Sequence, residues 1–302
     1  MSSGLWTRIS RYKFIYLLIM PGFLYFVLFK YVPMWGLLLS FKDYNPFQGF
    51  WQSPWVGLEH FRVFFAKDDF WMLMRNTLMI SLMNIVLFFP LPIALSILLN
   101  EVRREGFKRV IQSIVYLPHF MSWVVVASFT VLFFSMDVGL VNKALNALGY
   151  EPVAILTKPQ YFWGMLTAQS IWKEVGWGTI IFLASIAGID QQLYEAAIVD
   201  GAGRWKQIWH ITLPSISGTI VILLILRMGN MLDVGFEQIL LMLNSLVLPV
   251  GEVFDTYTYK QGILSGQFSY STAVGLFKSL IGLVLVVGAD RVAKKLGYGG
   301  LY

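Results

Sequence analysis

Several polar residues lie inside strongly apolar stretches of the chain: Lys173, Glu174 and Trp177 in one run, Arg227, Asn230 and Asp233 in another, and Lys278 in a third. Ionisable groups are costly in a bilayer and persist there when they pair or line a watery path. These residue types would suit a saccharide path. Asn and acids meet sugar hydroxyls, and an indole meets the apolar face of a sugar ring. Arg227 and Lys278 would favour uronic or sulfated sugars. The other reading is structural, with ion pairs inside the bundle or snorkelling stems. Lys173 and Glu174 are sequence neighbours, so they point to different helix faces and each is expected to have its own partner. That favours the structural reading for this pair. Arg227, Asn230 and Asp233 step by three and share a face, which weakens the preference. Lys278 fits both readings equally. Gln169, Asn76 and Asn84 are further intramembrane polar positions.

Little else points to catalysis. The chain has no cysteine, which removes thiol nucleophiles and Cys-zinc sites. His60, His119 and His210 have no metal-ligand spacing, so no metal site is expected. His119 follows Pro118 and reads as a helix-end or interfacial residue, and His210 as solvated or interfacial.

The elements that must position these residues are membrane helices. Of 302 residues, 57% are hydrophobic and only 13% charged, against about 25% charged in soluble domains. The expected class is all-α and polytopic. About six spans of ~20 apolar residues can be placed, near Phe14–Phe41, Met72–Leu99, Val110–Phe134, Tyr161–Ile189, Ser215–Asp233 and Ser269–Val292. Lys30 and Pro33 suggest that the outer end of the first kinks or leaves the bilayer. The basic N-terminus followed by a long uncleaved apolar run reads as a retained span and not a signal peptide.

Lys and Arg gather in alternate segments: Arg8, Arg11 and Lys13; Arg103, Arg104, Lys108 and Arg109; Arg291, Lys294 and Lys295. That side is then cytoplasmic, with both termini inside. Residues 1–13 form a cytoplasmic N-terminus and 14–302 a membrane domain. The loops near 42–71, 135–160 and 234–268 face outside. Within the second, "GLVNKALNALGY" reads as a short amphipathic helix. The net charge of +6 fits loops at an anionic leaflet, and nucleic acid is not an expected partner.

One cytoplasmic loop, about 190–214, carries "QQLYEAAIVDGAGRWKQIWHITLP". It reads as helix, turn, helix. Asp200 and Gly201 stop the first helix, Trp205 to Leu213 forms a second amphipathic segment, and Pro214 opens the next span without losing a needed donor. On physics alone it is as well explained as an interfacial hairpin. Its spacing, however, resembles the EAA loop of binding-protein-dependent ABC importer permeases. Glu195, Ala196, Ala197, Gly201, Ile211, Leu213 and Pro214 fit that pattern, with Asp200 and Ala202 in its DGA variant. The preceding "SIW…GW…IIFLASIAGI", the C-terminal "DVGFEQILLMLN…GEVFDTYTYKQGI" and the final "YGGLY" are similar to the carbohydrate subgroup that takes up complex saccharides.

The resemblance implies a type I importer permease fold. It implies coupling to an ATPase through Glu195, Ala196, Ala197, Asp200, Gly201, Ala202 and Gly203. The partners it implies are a second homologous permease, two ATPase subunits that use ATP and Mg, an extracytoplasmic solute-binding protein and membrane lipid. The place it implies is the bacterial plasma membrane. No Walker A pattern occurs in the sequence, so any ATP-driven motor is expected in another chain. The alternatives are an ion-coupled carrier titrating Glu174 or Asp233, or a permease of this class for a non-sugar solute.

Overall fold

A computed structural model describes residues 11–297. Arg8 and the final YGGLY lie outside them. The helices that matter are α1 (Lys13–Phe41), α2 (Asp69–Asn100), α3 (Glu105–Phe120), α4 (Trp123–Phe134), α5 (Pro159–Ala187), α6 (Gln191–Val199), α7 (Arg204–Gly229) and α8 (Phe268–Lys295). Among the described residues α1, α2, α7 and α8 are long and apolar enough to cross a membrane on their own. At 29 residues α5 has the length, about 43 Å, but less apolarity. Leu140–Ala147 is helical as expected.

The expected third span, Val110–Phe134, is not one helix. It breaks between α3 and α4 with a bend of 101°. Pro118 cannot continue the hydrogen-bond ladder. The chain tightens into a 3-10 turn over Leu117–Phe120, and Ser122 then caps α4, accepting from the Val125 amide at 3.4 Å. The 12 residues of α4 reach only about 18 Å, short of a ~30 Å hydrocarbon core.

The expected fifth span also changes. Instead of starting at Ser215, α7 starts at Arg204 and takes in the second segment of the loop, so Pro214 lies inside a continuous helix and does not open it. Its clash with the preceding turn is absorbed by a wide turn over Ile208–Thr212, in which the Leu213 amide reaches back five residues to Ile208. The same device precedes Pro33, where Val32 bonds Val27, and Pro90, where Phe89 bonds Asn84 at 3.0 Å. A π-turn just ahead of a proline lets the ring sit in a helix without breaking it. In α1 the winding then tightens to 3-10 over Val32–Phe41.

The chain divides into two compact units, 1–66 with 258–276, and 67–257 with 277–302. In the first, α1 has no buried residue in its apolar window. Lys42 is buried at 2% exposure, donates to the Phe50 carbonyl at 2.5 Å, and lies over the Phe50 and Trp55 rings.

The second unit holds the core around α5. Phe162 and Leu166 pack with Ile80, Ala127, Ile239 and Val247, while Phe182, Ile186, Ile189 and Ile216 form a second cluster toward the 190–214 loop. Small residues let the backbones close. A Cβ at Gly176 would meet the Val115 carbonyl at 2.2 Å, and one at Gly178 would meet Pro92 at 3.0 Å. Between these clusters runs a polar chain. Gln238 donates to Gln169 at 2.9 Å, and Gln169 donates to Thr130 at 2.7 Å. Gln169 is therefore a structural group. So is Asn76, which donates to the Pro249 and Glu252 carbonyls.

Candidate functional site

Two features in the second unit gather the sequence candidates. The first is a cavity of about 460 Å³ bordered by α2, α5, the N-terminus of α4 and the end of α7. Glu174, Trp177, Arg227, Asn230 and Asp233 all line it. Lys173 and Lys278 do not. Arg227, Asn230 and Asp233 do not share one helix face as expected, because α7 ends at Gly229 and Asn230 caps it. A turn, with the Asp233 amide on the Asn230 carbonyl at 2.9 Å, carries the wall past the helix end.

Lys173 and Glu174 each have a further partner, yet, contrary to expectation, they also pair with each other at 3.1 Å. The Lys173 ammonium also donates to the His119 carbonyl at 2.6 Å and lies 5.5 Å from the Trp123 ring. Glu174 meets His119 Nδ1 at 2.6 Å, and the His119 ring stacks on Trp177 at 4.3 Å and 4°. The α3–α4 break is thus fastened to the charged turn of α5. His119 is the residue that sequence reasoning misses. A lone histidine after a proline carries no signal of a partner 55 positions away. Ser81, Phe88, Trp123, Ser170 and Gln238 also join the wall, and nothing in the sequence singles them out.

Lys278 is held between Asp255, in direct contact, and Asp233 at 3.8 Å. Burial raises the Asp255 carboxyl above the ordinary carboxylate value, and Lys278 opposes that rise. Arg227 lies 5.0 Å from the Phe88 ring centre. A larger cavity of about 840 Å³ between α4 and α5 is lined almost entirely by apolar side chains, Phe129, Phe133 and Met165 among them. It offers few hydrogen-bond partners to a polar solute.

The second feature is the 190–214 loop. Asp190 caps α6, its carboxylate accepting from the Gln192 amide at 2.9 Å. At the other end Gly201 takes φ +73°. The Ala202 amide bonds the Ala197 carbonyl at 2.8 Å, and the Gly201 amide bonds that of Ile198 at 3.0 Å. That is a Schellman stop, and its left-handed residue is best supplied by glycine. Glu195, Ala196, Asp200, Gly201 and Gly203 are exposed, while Ala197 and Ala202 are half-buried. Around them Ile198, Val199, Trp205 and Trp209 expose apolar surface, Val199 to 88%. The loop is anchored behind. The Tyr194 hydroxyl meets Thr212 at 2.9 Å, and Arg204 pairs with Glu101 at 3.0 Å. That ion pair puts the loop beside the basic 101–109 segment.

Residues 89–298 match the family described as binding-protein-dependent transport system inner membrane component. The chain is 53% identical to protein LplB of Bacillus subtilis (strain 168), over 97% of this chain and 92% of that one. It is 50% identical to the polygalacturonan/rhamnogalacturonan transport system permease protein YteP of the same organism, over 98% and 92%. Among solved structures it resembles a chain of a bacterial ABC transporter that imports the acidic polysaccharide alginate, with TM-score 0.90 and 38% identity over 97% of this chain and 99% of that one. A second structure holds the alginate transporter in complex with a periplasmic protein bound to an alginate pentasaccharide, with TM-score 0.91, 38% identity, and 98% and 99% coverage.

Proposed function

Because the chain belongs to the family of inner-membrane components of binding-protein-dependent transport systems, we propose that it forms half of the translocation path of an ATP-driven saccharide importer. The saccharide is supported by the relatives named for polysaccharide uptake and by a cavity lined with an indole, an amide, acids and a guanidinium. The second permease, the two ATPase subunits that use ATP and Mg, and the solute-binding protein belong to the same reading. So do the bacterial plasma membrane and two cytoplasmic termini.

The single observation that carries the coupling role is the 190–214 loop. It presents a rigid, stopped helix with exposed small and apolar residues, anchored on its inner side and uncovered on its outer side. Glu195, Ala196, Ala197, Asp200, Gly201, Ala202 and Gly203 would seat in a cleft of the ATPase. Closure of the ATPase pair would push α6 and, through Tyr194 and the continuous α7, the cavity wall at Arg227. The acids would meet basic groups across that contact, each worth about 1–3 kcal/mol if desolvated.

The test is purification of the chain from its native membrane, wild type against Gly201→Val and Gly201→Asn. The expected result is an ATPase and a second polytopic permease with the wild type. Gly201→Val should lose the ATPase while keeping the permease partner, and Gly201→Asn should keep much of both, since Asn tolerates the left-handed backbone. A chain that travels alone and transports down a pH gradient would replace this reading with the carrier.

A further inference from the structure

Three cations lie in or near the 460 Å³ cavity, and two of them are already satisfied. Lys173 is 5% exposed, bonded to the His119 carbonyl and paired with Glu174. Lys278 is held between Asp255 and Asp233. Arg227 differs. Among the described residues no hydrogen bond or ion pair engages its guanidinium, which rests on the Phe88 ring and feels Glu174 only through its field. A half-buried fork of five donors left open is a group built to meet an acceptor.

One further feature faces the same space. Trp177 is 46% exposed, and His119 stacks on one face of its indole. The acids of the wall do not compete strongly for Arg227. Glu174 is engaged by Lys173 and His119, and Asp233 faces Lys278.

We infer that this cavity reads one uronic-acid unit of the saccharide. Its carboxylate lies on the Arg227 fork, and the pyranose face rests against Trp177. A planar guanidinium matches the two coplanar oxygens of a carboxylate, which favours a carboxylate over a sulfate ester. Lys278, an equal candidate on sequence, is excluded because its charge is spent on two acids.

The inference rests on the saccharide reading above, and the experiment separates the two. ATP-driven uptake is measured in proteoliposomes holding the complete transporter and its binding protein. The probes are a galacturonate trisaccharide, its carboxyl-reduced neutral counterpart, and that neutral trisaccharide sulfated at the freed primary hydroxyls. Wild type should prefer the galacturonate probe. Arg227→Gln should raise its half-saturation concentration at least tenfold more than it changes that of the neutral probe. Arg227→Lys should fall between, keeping the charge without the fork. Wild-type preference for the neutral or sulfated probe, or an equal loss on every probe in Arg227→Gln, would overturn the inference and leave the importer intact. Transport of a non-sugar solute with no saccharide accepted would remove the saccharide reading itself.

Discussion

Neighbouring side chains on a helix usually diverge, yet Lys173 and Glu174 meet at 3.1 Å. The long lysine stem bends back because His119 supplies a carbonyl to one group and a ring nitrogen to the other. The polar cluster therefore holds together through a residue from the α3–α4 break. Trp177 is placed by the same histidine, which predicts a particular phenotype. Ring stacking is blind to charge, so Trp177→Ala should raise half-saturation for the galacturonate and the carboxyl-reduced probes alike, by several-fold, where Trp177→Phe retains most of the affinity. Uptake kinetics on the two probes checks this. A loss confined to the charged probe would assign Trp177 to electrostatics instead.

At the level of elements, two kinds of residue decide the architecture. Prolines are carried within helices by the π-turns that precede Pro33, Pro90 and Pro214, so a rule that lets proline begin a helix places the start of α7 too late. Glycine decides where backbones touch. At Gly176 an added Cβ would fall 2.2 Å from the Val115 carbonyl, an atom of the main chain that cannot step aside. Gly176→Val should separate α3 from α5 and cost several kcal/mol, read as a sharp fall in detergent-extracted, monodisperse protein. Gly164→Ala on the same helix meets nothing within 4 Å and should behave as wild type. Gly201 is the opposite case to Gly176. Nothing lies within 4 Å of its added Cβ, and its constraint is the backbone angle of +73°, so substitution there should spare the fold and damage the loop's shape.

For the whole molecule, sidedness remains the property that charge patterning argues and that the Arg204–Glu101 contact supports, by placing the 190–214 loop beside a basic segment. An exposed ion pair of this kind adds at most about 1 kcal/mol, so it marks proximity more than it stabilises. Because the chain has no native cysteine, single introduced thiols report sidedness cleanly. Leu148→Cys and Trp205→Cys replace side chains exposed to 73% and 74%. A membrane-impermeant maleimide added outside intact cells should label the first and not the second, with the order reversed in inverted vesicles. Equal labelling of both from one side would break the topology.

The amino-acid sequence alone carried the helical membrane class, the approximate places of most spans, the stop at Gly201 and the resemblance of the 190–214 loop, because these depend on local hydropathy, on backbone freedom at one residue and on fixed spacing. It also picked out six residues that line one cavity, Asn84 among them. Only the tertiary structure decided which charges are spent and which are open. That depends on partners distant along the chain, such as Lys278 with Asp255 or Glu174 with His119, and an ion pair formed between helices leaves no mark on the local pattern of either. The break between α3 and α4 was hidden for a related reason. An apolar run records what lipid and core will accept, and says little of the direction in which the chain travels through them.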